Sequence, residues 1–261
     1  MLQAHSPLWH YLWVGTHVWQ VALALLMWRA GLHKIYPVFF AYTLVEAAQE
    51  FTLYGLDVAP SVANETFWTA MWPALIIEGL LKFAIVGELF RHLLRPWPMI
   101  AALGKRLITW AGVLLVLAAG AIAGLTTSVN SQHLIAGAHL LQQSMYVVES
   151  GLVLFIVLFA AHFKLHWPRQ MFGIILGLGI LSCEHLAAWA IAASELLGHN
   201  GYRLDFANMA TYHVCVLIWM YYLLTTAPEK PAPAVPTGGV GDAGDPNLAL
   251  WNHELERFLQ R

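Results

Sequence analysis

The chain has 261 residues, 59% hydrophobic and 11% charged, with a mean hydropathy of +0.61 and twelve Trp. Such values belong to membrane proteins. A formal net charge of −2 with no massed basic patch excludes nucleic acid as a partner.

The opening residues, MLQAHSPLWH, lack the basic stretch of a cleavable signal, and the apolar run that follows continues to Arg29, so a first span that stays in the protein is expected. A membrane helix needs about 20 mostly apolar residues. Seven runs have that length: 8–29, 36–55, 67–90, 105–124, 136–161, 170–194 and 207–225. None alternates with a strand-like period of two, so the expected fold is an all-α polytopic bundle of seven transmembrane helices over residues 1–225. No internal repeat marks a duplicated transporter half.

Lys and Arg in the connections set the orientation. Arg29, Lys34, Arg91, Arg95, Lys105, Arg106, Lys164 and Arg169 fall in the first, third and fifth connections, against Arg203 alone in the others. This bias predicts an outer N-terminus and a cytoplasmic C-terminus. Trp9, Trp13, Trp28, Trp68, Trp97 and Trp167 lie near span ends, as an interfacial belt requires. Cys183 and Cys215 sit inside apolar runs and read as two buried small side chains rather than a disulfide framework.

Residues 226–245 are too rich in Pro, Gly and Ala to fold alone and read as a flexible linker. Order resumes over 246–261, a short cytoplasmic amphipathic helix. Asp245 caps it, Pro246 begins it, and Leu248, Trp251, Leu255, Phe258 and Leu259 share a face. Its charges cancel, which leaves docking on the protein's own cytoplasmic face or a protein partner, and lying at the membrane surface, as alternatives.

The spans hold an unusual number of polar residues for so apolar a chain. They are His17; Glu46, Gln49 and Glu50; Glu78 and Lys82; Gln142, Tyr146 and Glu149; Glu184 and His185; and Tyr212 and His213. An ionisable group in hydrocarbon costs a few kcal/mol and is expected to face the bundle interior with a partner. Glu46 with Glu50, and Glu78 with Lys82, are four apart and share a helix face, while Gln142, Tyr146 and Glu149 form another stripe. At similar depths, these groups are expected to form one intramembrane polar cluster. Five deep acids, Glu46, Glu50, Glu78, Glu149 and Glu184, face one deep base, Lys82. They cannot all be ionised without protons or a cation among them. The blander reading of Glu78 and Lys82 is an ion pair that only fixes packing, and that of Glu88 is an interfacial pair with Arg91 and Arg95.

His17, His185 and His213 each stand alone, and no H-E-x-x-H, E-x-x-H or C-x-x-C motif occurs. No cofactor is expected, with a b-type haem or metal ion as the lesser alternative. His5, His10, His133 and His139 fall at or near the outer surface. The last span, FANMATYHVCVLIWMYYLL, has no Lys for a retinal Schiff base and no H-x-x-x-H pair for a seven-helix zinc hydrolase.

The stretches LHKIYPVFFAYT (32–43) and FGIILGLGI (172–180), with LWHYLW, ALGKRLITWAG and LIWMYYLL, resemble a family of seven-helix bacterial integral membrane proteins of unknown function. The resemblance covers most of residues 8–225 and implies the same architecture in a bacterial inner membrane. It implies no site residues.

The functional expectation is therefore a non-enzymatic sensor or signalling-type module that binds a small ligand, proton or cation in an intramembrane polar cavity. The alternatives are a proton- or cation-coupled transporter, and a subunit of a larger membrane complex, with or without haem.

Overall fold

The computed structural model describes residues 6–59, 64–95, 131–163, 167–193 and 202–225, with isolated positions elsewhere. Most of the fourth predicted run, Trp97, the linker 226–245 and nearly all of the tail helix 246–261 lie outside the described residues.

Within them the chain is all-helical, with no strands. α1 spans Pro7–Arg29, α2 Pro37–Val58, α3 Asn64–Leu93, α4 Ser131–His162, α5 Arg169–Ala193 and α6 Tyr202–Leu224. Ser6 caps α1, accepting from the Trp9 N–H at 3.3 Å, and Pro7 supplies a first-turn residue that needs no donor. After Arg29 the chain turns at Gly31, whose φ of 73° is the left-handed conformation glycine adopts without strain. A 3-10 turn, Leu32–Lys34, then leads into α2.

Among the described residues, three helices are long and apolar enough to cross a membrane: Gln142–His162, Arg169–Ile191 and Arg203–Leu224. In α1, α2 and α3 the deep polar residues dilute the apolar sequence. All six helices nonetheless turn large apolar side chains outward, including Leu25, Leu44, Leu80, Leu158, Phe172 and Leu217.

Each helix packs on the next in chain order, and α6 closes the ring on α1. α1 and α2 are antiparallel, since His10 meets Tyr54 near one end and Trp28 meets Phe40 near the other. α3 and α4 instead run parallel: Phe83 packs with Met145, Lys82 reaches Glu149 and Phe90 packs with Phe159.

The ring has two unlike halves. In the half holding the end of α1 and the start of α2, an apolar cluster fills the centre. Leu23, Phe39, Leu89, Ile156, Leu178 and Trp219 are all fully buried in it. Trp219 donates to the Ile174 carbonyl at 3.2 Å and meets Phe39 edge-on. Gly173 and Gly177 let α5 approach α6 this closely, because a Cβ at either would overlap Tyr222 or Trp219. The other half, holding the start of α1, contains a cavity.

Three sequence expectations are corrected here. Trp9 is buried and Trp13 turns inward, so they line the interior rather than an interfacial belt, whereas Trp28 is exposed and stacks on His33. Cys183 is exposed on the outside of α5; only Cys215 is buried. Glu88 is buried with its carboxylate at the start of α2, where Oε1 and Oε2 accept from Val38 N and Phe39 N, each at 3.1 Å. Tyr36 offers α2 no side-chain cap, so the carboxylate of α3 takes the free amides. Arg91 and Arg95 are exposed.

Candidate functional site: a six-helix polar cavity

Helical spacing explains how the cavity is lined. On α2, Glu46, Glu50, Leu53 and Asp57 follow at steps of four, three and four, a single stripe. On α1 the same logic aligns Trp9, Trp13, Thr16 and His17, and α3 runs the same way, opposite to α2, from Phe67 and Trp68 down to Glu78 and Lys82. Gln142 and Tyr146 of α4, Leu181 and His185 of α5, and Asp205, Asn208 and Tyr212 of α6 complete a volume of about 440 Å³. Trp9, Asp57, Phe67 and Asp205 mark its mouth at one end of the bundle. His17, Glu46, Lys82, Tyr146 and Tyr212 form its floor, just above the apolar cluster.

The polar groups on the floor are mostly committed to one another. Lys82 Nζ lies 2.7 Å from Glu78 Oε1 and 3.6 Å from Glu149 Oε2, and 4.9 Å from the centre of the Tyr146 ring. The single deep base thus serves two acids on two helices. Glu50 accepts from Trp13 Nε1 at 2.8 Å and stands 3.8 Å from His17 Nε2. His17 Nδ1 faces Gln20 Oε1 at 2.9 Å, Gln20 Nε2 donates to the Tyr212 hydroxyl at 2.9 Å, and that hydroxyl meets Tyr42 at 3.3 Å. This chain ties α1, α2 and α6 together beneath the cavity. Gln49 donates to the Ala74 carbonyl at 3.1 Å, fixing α2 on α3.

Of the sequence-predicted cluster, Glu46, Gln49, Glu50, Glu78, Lys82, Gln142, Tyr146, His185, Tyr212 and His17 line the cavity together. Three do not. Glu149 is buried behind the wall against Lys82. Glu184 lies 3.2 Å from His185 Nδ1 and accepts from Asn208 once that amide is oriented to donate. His213 Nδ1 sits 3.1 Å from Thr16 Oγ1. Gln142 donates weakly, at 3.4 Å, to the Tyr146 hydroxyl, whose ring packs 4.0 Å from His185.

Glu46 is the exception among the acids. It is 7% exposed, lines the cavity, and has no hydrogen-bond or ion-pair partner among the described residues.

Sequence reasoning missed the mouth. Trp9, Trp13, Thr16, Trp68, Asp57, Asp205 and Asn208 all face inward. A signal for two groups was present, since Asp57 continues the Glu46 and Glu50 stripe and Trp9, Trp13 and Thr16 share the face of His17. Among the described residues, no group of three or more His, Cys, Asp or Glu is arranged to hold a metal ion. No protein-family model, curated protein or solved structure matches the chain.

Proposed function

We propose that this chain is a seven-helix integral membrane protein, N-terminus outside and C-terminus in the cytoplasm, that binds a small ligand in the cavity from the outer side and signals through its cytoplasmic face. The observation that carries the reading is the asymmetry of the bundle. A cavity of about 440 Å³ enters from one end and stops on a fully buried apolar layer. Small-molecule sites ordinarily enclose about 300–1,000 Å³. A transporter built on the same carboxylates would need a polar route through that layer.

The outward apolar side chains on all six helices support a bilayer as solvent, since such a surface in water would aggregate. The parallel run of α3 and α4 supports a seventh crossing. The chain leaves α3 at one end of the bundle and enters α4 at the other, and the apolar run 105–124 has the length to make the return. Arg29, Lys34, Arg91, Arg95 and Arg169 stand at the apolar end, which favours that end as cytoplasmic. The cavity mouth then faces outward.

The test is cysteine accessibility. Ala74, on the cavity wall, is changed to Cys in a Cys183→Ser background and challenged with a membrane-impermeant cationic thiosulfonate, on intact cells and on inverted vesicles. Labelling from the outer side alone is expected. Labelling from the inner side alone overturns the orientation. No labelling from either side, with reaction restored on denaturation, overturns an accessible cavity.

A further inference from the structure

The lining of the cavity identifies the chemical class of its occupant, on the reading that it is a ligand site. The formal charges on the wall are unequal. Among the described residues, Glu46, Glu50, Asp57, Glu78 and Asp205 face the space, and Lys82 is the only Lys or Arg beside them. That lysine is already held between Glu78 and Glu149. Glu50 has the Trp13 indole and His17. Glu46 has no hydrogen-bond or ion-pair partner among the described residues although it is more than nine-tenths buried. A buried carboxylate without a partner is costly unless something brought in from outside complements it.

The rest of the wall suits a particular kind of cation. Trp9, Trp13, Phe67, Trp68, Tyr146 and Tyr212 present aromatic surface around the acids. Ring faces attract ammonium groups, and Lys82 over Tyr146 is an example within this cavity. A bare metal ion would instead want several converging ligands, and no set of three His, Cys, Asp or Glu is arranged for one among the described residues. Anions would meet the acidic wall unfavourably.

We infer that the cavity takes a small organic cation, an amine or quaternary ammonium carrying an apolar or aromatic body, with its charged nitrogen on Glu46 and its body among the tryptophans of the mouth.

The experiment measures binding of a matched series to the full chain in lipid nanodiscs, by quenching of tryptophan fluorescence and by thermal shift. The probes are 2-phenylethylammonium, benzyltrimethylammonium, the neutral 2-phenylethanol and the anionic 3-phenylpropionate. Both cations are expected to bind at least tenfold more tightly than the neutral and anionic members. Glu46→Gln is expected to reduce cation affinity by about 10- to 100-fold, in keeping with loss of a charge-assisted bond, and to leave 2-phenylethanol within about twofold. Glu46→Asp retains the preference for cations. Equal or tighter binding of the neutral or anionic member to the unmodified protein overturns the cation assignment while leaving a ligand-binding cavity in place. Binding of none of the four, together with a cavity closed to the thiosulfonate, overturns the ligand-site reading as well. The selectivity is read on the unmodified protein, so a poorly folding variant does not obscure it.

Discussion

Replacing Lys82 by Met keeps the length of the side chain and removes the charge that holds α3 against α4. Lys82 is 3% exposed, and its ammonium lies 2.7 Å from Glu78 and 3.6 Å from Glu149, which is itself 2% exposed. At an effective dielectric of about 20, unit charges at those separations attract by about 6 and about 5 kcal/mol. Most of that is offset by the desolvation of the three groups. What breaking the arrangement exposes is the cost of a buried acid, Glu149, and a half-buried one, Glu78, left without their cation, about 3–5 kcal/mol. The assay is reversible unfolding of purified protein in mixed micelles, followed by helical circular dichroism as the denaturing detergent fraction rises. Adding Glu149→Gln to Lys82→Met removes one of the stranded carboxylates, so the double variant is expected to recover at least about 1 kcal/mol relative to additivity. A loss below about 1 kcal/mol for Lys82→Met alone, or strict additivity with Glu149→Gln, would refute the view that this lysine joins the two helices.

The α5–α6 seam predicts that Gly177→Ala destabilises the bundle by about 1–3 kcal/mol in the same assay, with a changed Trp219 emission, because the added methyl overlaps the indole. Glu88→Ala is expected to cost about 1–2 kcal/mol through loss of the α2 cap, whereas Arg91→Ala, at an exposed position, changes stability by less than about 0.5 kcal/mol; equal losses would restore the interfacial pair. Tyr212→Phe deletes the hydroxyl that accepts from the fully buried Gln20 amide and meets Tyr42, and is expected to cost about 1–3 kcal/mol. An unchanged unfolding midpoint would show that the chain of hydrogen bonds under the cavity contributes nothing.

Much of the architecture was legible because the signals were local. The described helices start and stop within about five residues of the apolar runs, at Pro7, Gly31, Pro37 and the charged connections. The same local rule aligned Glu46 with Glu50 and paired Glu78 with Lys82, since four residues make about one helical turn. What the sequence did not disclose depended on contacts between distant segments. Glu88 has two arginines nearby in the chain, yet its partners are amides fifty and forty-nine residues away. A tryptophan near a span end looks the same whether it faces headgroups or a cavity, so Trp13 could be placed only by its bond to Glu50. Cys183 and Cys215 lie in similarly apolar sequence, and only packing separates the exposed one from the buried one. That Glu46, and not Glu50 or Glu78, lacks a partner among the described residues follows from which side chains surround each acid, and this needed coordinates.

The division of the ring into a hollow half and a filled half also shapes the electric field across it. In the proposed orientation, water entering the cavity carries the outer potential down to Glu46 and Lys82, so the membrane voltage drops mainly across the apolar layer around Phe39 and Trp219. An elementary charge crossing a full 100 mV gains or loses about 2.3 kcal/mol. A charged occupant that stops on the floor crosses little of that drop, so its affinity would depend only weakly on voltage. The same voltage would bear fully on any charge displaced through the apolar layer beneath it.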